Sequence, residues 1–425
     1  MSLRVAMISV HTSPLATLGG KEAGGMNVYV RDLARELGTR GMAVDVFTRQ
    51  QSPDAPLVQE FAPNARVIHL PAGPKTPYDK NRIFHHLPEF TQALVQFADR
   101  ERAAYSLIHS HYWLSGWVAH ELQRTWGVPV VHVFHTLGHM KNAVAASPQE
   151  LETDLRIQVE EQVMQWADCL IAASPLEKAQ MAWLYGADPA KIRVIPAGVD
   201  TERFRPIPVE TAKARIGIPP ERKLILYVGR IEPLKGIETL FRAIAILAKE
   251  TPCFCDNICV SIIGGEGEDT EATRSAEEQR LRELREQLEL RDLVTFLGSK
   301  DQDALPYYYS AAYVVVVPSY YESFGMVAVE AMACGVPVIA SKAGGLMYTI
   351  QDGLTGLLFP ANSPNALAEK LCLLLDEPEL RDKMGKNARE WAQRFAWPHI
   401  ADQIVALYGE LLSRRAAAFA TARKS

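Results

Sequence analysis

The sequence A-Y-V-V-V-V-P-S-Y-Y-E-S-F-G-M-V-A-V-E-A-M-A-C-G-V-P-V-I-A, residues 312–340, is the stretch that best indicates the fold. Its apolar run 312–317 is typical of a strand buried on both faces. After a Pro-Ser break the sequence predicts a helix with Gly325 in its first turn and an end at Gly335, followed by a second buried strand at 336–340. The order strand, turn, helix, strand predicts a parallel sheet covered by helices.

Two acidic residues of this stretch, Glu322 and Glu330, have the spacing E-x7-E. Glu322 falls in the turn, and Glu330 falls about two helical turns further on. A turn that leads into a helix offers free backbone N–H groups and the positive end of the helix dipole, which suits a phosphate. Two carboxylates beside such a site suit the hydroxyl groups of a sugar or a ribose. Taken singly, Glu322 also fits a helix cap and Glu330 a solvated helix residue.

The segment 322–340, E-S-F-G-M-V-A-V-E-A-M-A-C-G-V-P-V-I-A, resembles the signature of the retaining, nucleotide-sugar-dependent glycosyltransferases with the GT-B fold. It is most similar to family 4, which includes the sucrose-phosphate synthases and the inositol-phosphate glycosyltransferases of mycothiol synthesis. The E-x7-E spacing alone is a weak signal, but its setting between S-F-G and A-C-G-V-P-V-I-A is specific. The resemblance implies a retaining hexosyltransferase that works without a metal ion.

Length and composition are those of an ordinary globular protein. The chain has 425 residues, of which 48% are hydrophobic and 22% charged, and its formal net charge is −5. These values indicate two or three domains and no overall attraction to nucleic acid or membrane. No apolar run approaches a membrane span, and the N-terminus predicts a buried strand rather than a signal peptide. We therefore expect a cytoplasmic protein that acts on small-molecule sugar substrates, with its oligomeric state left open.

The six cysteines give no sign of a metal site. Only Cys253, Cys255 and Cys259 are close in sequence, and they lack a fourth ligand at a suitable spacing. We expect reduced structural thiols, no metal, and no cofactor apart from the nucleotide-sugar substrate.

Strand and helix patterns alternate along the whole chain, which predicts doubly wound parallel sheets. The predicted strands are 4–10, 43–48, 67–70, 107–109, 130–134, 169–172 and 193–195, and then 223–228, 258–263, 293–297, 312–317 and 336–340. The fold class is therefore α/β, with two Rossmann-like domains that face a cleft. The resemblance adds their roles: an acceptor domain at 1–205, a nucleotide-sugar domain at 206–397, and a final helix within 398–425 that crosses back to the first domain.

Two cations in the second half suit a diphosphate. A nucleoside diphosphate-sugar carries charge that a metal ion or fixed cations must neutralise. Arg230 and Lys235 follow the strand 223–228 in V-G-R-I-E-P-L-K-G, with Arg as a fork and Lys as a point charge. Each alone also fits a surface residue.

The resemblance implies roles for the donor-binding residues of the second half. Arg230 and Lys235 match the family's diphosphate clamp, and Glu330 its ribose-binding carboxylate. Glu322, Phe324 and Gly325 are then expected to face the donor hexose and phosphates. Glu322 is not an obvious nucleophile, so we favour front-face attack, in which the departing diphosphate takes the proton of the acceptor, over double displacement.

The loop after the first strand and a histidine supply the rest of the expected catalytic groups. The loop 11–25 ends in G-G-K-E-A-G-G before a helix, so it either approaches a ligand closely or is merely flexible. H-T-S-P-L and A-G-G-M-N-V-Y-V resemble the inositol-phosphate branch, which implies that Gly25 contacts the donor and Asn27 the acceptor. His135 in V-F-H-T-L-G matches the family's active-site histidine, which contacts the donor hexose; a structural histidine is the alternative.

Four residues of the first half match the family's acceptor-phosphate pocket: Lys80, Tyr112, Thr136 and Arg156. Each alone fits a surface or packing residue, whereas together they suit one phosphate monoester. We favour UDP-glucose and fructose 6-phosphate as substrates, which would make the chain a sucrose-phosphate synthase of sucrose biosynthesis. The first alternative is transfer from UDP-N-acetylglucosamine to D-inositol 3-phosphate, which the local motifs favour. A phosphorylase and an inactive sugar-nucleotide-binding protein are the alternatives of other classes.

Overall fold

The structure, a computed structural model, describes residues 3–16, 24–250, 257–265 and 275–422, with side chains up to residue 417. The chain divides into two compact units. The first takes in the chain up to Ala16, then Gly25–Gly198, and the residues from Trp397 onward, and the second contains Val199–Ala396.

The first unit is built on a sheet of eight strands among its described residues. Its strands are β1 Arg4–Ile8, β2 Ala43–Arg49, β3 Val58–Ala62, β4 Ala65–Leu70, β5 Leu107–His111, β6 Val130–Val133, β7 Cys169–Ala172 and β8 Ile192–Val194. Its helices before the second unit are α1 Gly25–Thr39, α2 Lys80–Ile83, α3 Leu87–Arg100, α4 Tyr112–Trp126, α5 Gly138–Asn142, α6 Asp154–Trp166 and α7 Pro175–Tyr185. The strand order is β3-β4-β2-β1-β5-β6-β7-β8, and all neighbours are parallel except β3 and β4.

The second unit repeats this plan with six parallel strands in its described part. They are β9 Lys223–Val228, β10 Ile258–Ile263, β11 Val294–Phe296, β12 Ala312–Val317, β13 Val338–Ser341 and β14 Gly356–Phe359, in the order β11-β10-β9-β12-β13-β14. The helices are α8 Val209–Ile216, α9 Ile237–Glu250, α10 Ala276–Gln287, α11 Leu305–Ala311, α12 Met326–Ala333, α13 Leu346–Thr349, α14 Pro364–Asp376 and α15 Pro378–Ala392. The last helix of the chain is α16 Trp397–Ala422, in the first unit.

The twelve strands expected from the sequence are confirmed, and two more are present. The central strands are buried on both faces, as their apolar runs predicted; in β12, for example, Val314, Val315 and Val316 are almost fully buried. The α/β class with two parallel-sheet domains is therefore confirmed.

In each unit, the candidate site lies at the point where the strand order reverses. In the first sheet this point lies between β1 and β5, and in the second between β9 and β12. Ligands of doubly wound sheets bind in the crevice outside the carboxyl ends of such strands. His11, Arg230 and Glu322 lie on the loops after β1, β9 and β12, and Tyr112 is the first residue of α4, directly after β5.

The segment that joins the units packs with the second one. Phe204 is buried with its ring centroid 5.9 Å from that of Tyr309, and the backbone N–H of Ile207 donates to Ser310 Oγ at 3.1 Å. The division therefore falls at Gly198–Val199, whereas the sequence placed it near residue 205.

The helix α16 packs in the first unit. Its Tyr408 is fully buried, with the hydroxyl 2.6 Å from Nδ1 of His109, and its Asp402 pairs with Arg40 at 3.0 Å. The prediction placed this helix within 398–425, and the observed helix covers Trp397–Ala422. Within the described part of the chain, no helix has both the length and the apolar character that crossing a membrane requires.

Candidate active site

The turn between β12 and α12 has a conformation that only glycine adopts easily. Gly325 is the N-cap of α12 with a φ of +93°, in the left-handed region, and no side chain caps the helix there. Glu322 therefore does not act as a helix cap. Its Oε2 instead accepts a hydrogen bond from Nζ of Lys235 at 2.6 Å. Both side chains are about four-fifths buried, since their exposed fractions are 20% and 17%.

Gly344 and Gly345, which follow β13, pack against the backbone of this turn. The backbone N–H of Gly345 donates to the carbonyl of Glu322 at 2.7 Å. A Cβ atom on Gly344 would lie 2.0 Å from that same carbonyl oxygen, and one on Gly345 would lie 2.1 Å from the carbonyl oxygen of Ser323. The turn needs glycine at both positions, a requirement that the sequence reading did not recognise.

Lys235 is aimed at Glu322 because the loop after β9 is locked to the loop after β12. Lys235 ends a short 3-10 helix, Pro233–Lys235, and Tyr320 N–H donates to the carbonyl of Leu234 at 2.9 Å. Gly236, with a φ of +64°, passes so close that a Cβ there would lie 2.2 Å from the carbonyl oxygen of Pro318. The pair is thus held by backbone contacts on both sides.

Arg230, the other predicted diphosphate cation, lies on the same loop as Lys235 but has a different partner. Its Nη1 pairs with Oε1 of Glu232 at 2.7 Å, and its side chain is 40% exposed. Neither predicted clamp residue is therefore without a carboxylate: Lys235 is paired with Glu322 and Arg230 with Glu232.

Glu330 lies on the buried face of α12 and is oriented by a tyrosine from α11. The hydroxyl of Tyr309, which is fully buried, donates to Oε2 of Glu330 at 2.7 Å. Burial, and then the charge of Glu330, raises the pKa of Tyr309 well above its usual value, so this hydroxyl stays a donor. Phe324 is a packing residue, with its ring centroid 5.4 Å from that of Phe395.

In the first unit, Arg156 contacts two of the other three predicted phosphate-binding residues directly. Its side chain is completely buried on α6, with Nη1 donating to Tyr112 Oη at 3.0 Å and Nη2 to Thr136 Oγ1 at 3.1 Å. The guanidinium also lies over the ring of Tyr112, 4.9 Å from its centroid. Tyr112 has a φ of +74°, a strained value for a tyrosine that this network holds in place.

Lys80, the fourth predicted residue, is linked to Arg156 through the carboxylate of Glu152. Its Nζ lies 3.1 Å from Oε1 of Glu152, and Nη1 of Arg156 lies 2.9 Å from the same oxygen. Lys141 pairs with that oxygen too. The sequence reading missed Glu152 and Lys141, which belong to none of the quoted motifs; the lysine in H-T-L-G-H-M-K, close after Thr136, was the available signal.

His135 is half-buried and packs against a layer of buried rings at the ends of β5 and β6. Its Nε2 is 3.1 Å from Nδ1 of His111, and the ring of Tyr29 meets it edge-on at a centroid distance of 5.0 Å. Burial lowers the pKa of His135 to about 3. The ring is therefore neutral at physiological pH, so it can take part in hydrogen bonds but does not serve as a cation. Its φ of +62° is rare for a residue with a side chain.

Asn27 and Gly25 begin α1 and border the loop after β1. The side-chain amide of Asn27 donates to Thr12 Oγ1 and to the carbonyl of Ser13, both at 2.7 Å. This residue thus holds the first part of the loop next to the helix start. The glycine-rich residues 17–23 of the same predicted loop lie outside the described residues.

The expected absence of a metal site can be examined only in part. The described residues contain no group of three or more His, Cys, Asp or Glu side chains placed to hold a metal ion. Cys253 and Cys255 lie outside the described residues, so the structure adds nothing about that cluster.

Two parallel-sheet α/β units, with fixed cations and carboxylates after the central strands, are the architecture of a GT-B glycosyltransferase. Residues 23–203 match the family model described as Glycosyltransferase Family 4, and residues 208–391 match Glycosyl transferases group 1. The chain belongs to glycosyltransferase family 4, and the resemblance drawn from segment 322–340 is confirmed.

Proteins similar to this chain along nearly its whole length carry two different names. D-inositol 3-phosphate glycosyltransferases of Saccharomonospora viridis and Acidothermus cellulolyticus are each 42% identical, covering 96% and 97% of this chain and 94% and 91% of their own length. The solved sucrose-phosphate synthase of Thermosynechococcus elongatus is 40% identical, with a TM-score of 0.88 over 97% of this chain and 100% of that one. Anabaena HepE in complex with UDP and glucose, at 21% identity and a TM-score of 0.74 over 96% and 100% of the two chains, shares the fold.

Proposed function

We propose that the chain transfers a hexosyl group from a nucleotide sugar to an acceptor that carries a phosphate monoester. The observation that supports the acceptor class is the buried network of Arg156, Tyr112 and Thr136, with Lys80 one carboxylate away. In the unliganded protein Glu152 is the anion that Arg156 and Lys80 share, which places both cations where one anionic oxygen can meet them. A phosphate that accepts from both would meet a fork and a point charge together.

The donor half of the proposal rests on the second unit. Lys235 and Arg230 supply the charge for a diphosphate, and Glu330, oriented by Tyr309, supplies an acceptor for the two ribose hydroxyls. The free N–H groups at the start of α12, beside Gly325, add donors for the same anion. UDP-glucose is the donor that we propose to test first.

The proposed reaction is front-face substitution with retention. The acceptor oxygen forms a bond to the anomeric carbon, the bond from that carbon to the diphosphate oxygen breaks, and the acceptor proton goes to the departing diphosphate. Lys235 stabilises the charge that develops on the leaving group, and the neutral ring of His135 is a hydrogen-bonding partner for the hexose. Glu322 is engaged with Lys235, which suits positioning better than nucleophilic attack.

Two acceptors are supported by separate observations. The names of the 42% identical relatives favour D-inositol 3-phosphate as the acceptor. UDP-N-acetylglucosamine is the donor that we propose to test with this acceptor. The solved sucrose-phosphate synthase, with a TM-score of 0.88, favours fructose 6-phosphate. Both acceptors are polyhydroxylated rings with one phosphate monoester, and this shared chemistry is what the proposal commits to.

Release of UDP from UDP-glucose and UDP-N-acetylglucosamine, measured with fructose, fructose 6-phosphate and D-inositol 3-phosphate, tests the proposal. We expect turnover only with a phosphorylated acceptor. Equal rates with fructose and its phosphate would overturn the phosphate pocket. Turnover that requires inorganic phosphate would identify a phosphorylase, and no nucleotide release with any acceptor would identify a binding protein.

A pair of lysine variants adds a structural control. Lys80→Met removes a cation beside Glu152 and should raise the KM for the phosphorylated acceptor by roughly tenfold, with little change in the KM for the donor. Lys75→Met removes the same charge from an exposed position nearby and should leave both constants unchanged.

A further inference from the structure

Three cations of the first unit converge on a single carboxylate oxygen. Oε1 of Glu152 lies 3.1 Å from Nζ of Lys80 and 2.9 Å from Nη1 of Arg156, and it also pairs with Nζ of Lys141. The Glu152 side chain is only 4% exposed. Three charged donors on one oxygen of a buried group is the arrangement expected of a phosphate oxygen rather than of an isolated ion pair.

The cation at the centre is fixed to the scaffold independently of Glu152. Nε of Arg156 donates to Oε1 of Glu160 at 2.7 Å, one helical turn away on α6. Glu160 in turn accepts from Tyr185 Oη at 2.6 Å and from the N–H of Gly138 at 2.9 Å. Arg156 is therefore anchored by Glu160 as well as by Glu152.

Glu152 itself is carried by a connecting segment and not by a helix or strand. It lies between α5 and α6, and its neighbour Leu151 has an exposed fraction of 50%. Its backbone N–H donates to Asn142 Oδ1 at 2.7 Å, at the end of α5. The carboxylate is therefore held by a connecting segment, whereas the three cations lie on the helices α2, α5 and α6.

The charges of the cluster favour exchange with a doubly charged anion. Lys80, Lys141 and Arg156 contribute +3, and Glu152 and Glu160 contribute −2, so the cluster carries +1. Replacing the single charge of Glu152 by a phosphate dianion gives zero. Adding the dianion beside Glu152 gives −1 in a buried site, which is unfavourable.

The acid–base properties of the cluster agree with this balance. Despite burial, the charges of Arg156, Lys80 and Lys141 lower the pKa of Glu152 to about 2, so it is ionised at neutral pH. Burial, and then the charge of Lys80, lowers the pKa of Lys141, because the two lysines share one carboxylate oxygen. Additional negative charge at the position of the Glu152 carboxylate would stabilise the protonated form of both lysines.

We propose that Glu152 occupies the acceptor-phosphate position in the unliganded protein, against Lys80, Lys141 and Arg156, and leaves it when the acceptor binds. The proposal rests on the proposed function and deepens it, since Glu152 becomes a residue that determines acceptor specificity. A ligand must replace a carboxylate that is already bound, so a dianionic phosphate succeeds where a singly charged group does not.

The test is binding of inorganic phosphate, measured by calorimetry, to the wild type and to matched variants. Glu152→Gln should bind phosphate roughly tenfold more tightly than the wild type, because the competing charge is gone. Lys141→Met should bind roughly tenfold more weakly. Glu161→Gln, which removes the same charge from the exposed side of α6, should bind like the wild type.

The same experiment distinguishes failure of this proposal from failure of the proposed function. Lys80→Met gives the baseline, since phosphate that this variant still binds is bound outside the cluster. If the wild type and Glu152→Gln bind no better than Lys80→Met, the cluster is not a phosphate site and the proposed acceptor class falls. If both bind better than Lys80→Met but equally tightly, the phosphate site stands and the role of Glu152 is overturned. Weaker binding by Glu152→Gln, with Glu152 acting only to position the cations, also overturns it.

A stability measurement covers the case in which Glu152→Gln unfolds. The proposal requires phosphate to replace the carboxylate, so added phosphate should restore the folded state of Glu152→Gln and raise its melting temperature more than that of the wild type. A variant that stays unfolded at saturating phosphate would show that the carboxylate holds the cations permanently, and would overturn the proposal.

Discussion

Lys235 and Glu322, from loops that follow two different strands of one sheet, meet with 2.6 Å between Nζ and Oε2. Both residues were predicted to face the donor, yet in the structure they neutralise each other. Arg230 with Glu232 shows the same feature on the donor side, and Arg156 with Glu152 on the acceptor side. Each group of cations proposed to bind phosphate is thus compensated by a carboxylate of the chain, which limits the cost of keeping charges partly buried before the ligand arrives.

Replacing Lys235 tests its proposed contact with the diphosphate. Lys235→Ala should lose about 3 kcal/mol of transition-state stabilisation, which lowers kcat/KM for the donor by roughly a hundredfold. Lys383→Ala removes the same charge from an exposed position on α15 and should leave kcat/KM unchanged. An unchanged kcat/KM in Lys235→Ala would remove this residue from the site.

Tyr309 is predicted to act on the donor through Glu330. Tyr309→Phe deletes the hydroxyl that donates to Oε2 of Glu330 at 2.7 Å, so the carboxylate is held less firmly. The donor KM should rise by roughly fivefold, for about 1 kcal/mol, while the acceptor KM stays the same. The neighbouring Tyr308→Phe is the control, since that residue is half-buried on the same helix. Equal effects of the two substitutions would contradict the positioning role.

The glycine behind the turn is predicted to be essential to its shape. Gly344 has a φ of +53°, and a Cβ there would lie 2.0 Å from the carbonyl oxygen of Glu322. Gly344→Ala should therefore cost about 3 kcal/mol in the free energy of unfolding, from strain and overlap together. Gly353→Ala has the same backbone strain, with a φ of +78°, but open space around it, so it should cost about 1 kcal/mol. Denaturant unfolding of the two variants measures the difference.

The fold was largely predictable from the sequence because its central strands are buried on both faces and read as continuous apolar runs. Of the two strands that the prediction missed, β3 lacks such a run and β14 has only a short one, L-L-F. In β3, V-Q-E-F-A, no residue is fully buried, and the strand lies at the edge of its sheet with β4 as its neighbour. β14 is four residues long and begins with a glycine, which gives little local strand signal.

The candidate site was predictable where a motif carries it and not where tertiary contacts do. Arg230, Lys235, Glu322 and Glu330 belong to recognisable spacings. Their partners are found by three-dimensional packing, as when Tyr309 reaches Glu330 from another helix. Glu152 comes from a connection without any pattern, so only its contacts with three cations identify it.

Turnover is predicted to be independent of divalent metal ions. Arg230 and Lys235 are proposed to neutralise the diphosphate, which is the task that a metal ion performs in other transferases. The rate of UDP release should therefore be the same in excess chelator as in added magnesium. Loss of turnover in chelator that magnesium or manganese restores would contradict the prediction, and Lys235→Ala assayed under both conditions shows whether a metal ion can replace the missing charge.

The histidines of the first unit are predicted to make the protein less stable in mild acid. Among the described residues, six histidines have a pKa lowered chiefly by burial: His120, and the five with the large shifts, His11, His109, His111, His132 and His135. Each of the five is neutral when folded but takes up a proton near pH 6.5 when unfolded, so below that pH each lowers the free energy of unfolding by about 1.4 kcal/mol per pH unit. Burial raises the pKa of Glu177 to about 7, so this residue raises the free energy of unfolding as the pH falls, but it is one group against several histidines. Urea unfolding should therefore show a lower free energy of unfolding at pH 5.5 than at pH 7.5. His399→Gln, at an exposed position, is the control and should leave the pH dependence unchanged. A free energy of unfolding that does not change with pH would contradict the neutral state of these histidines.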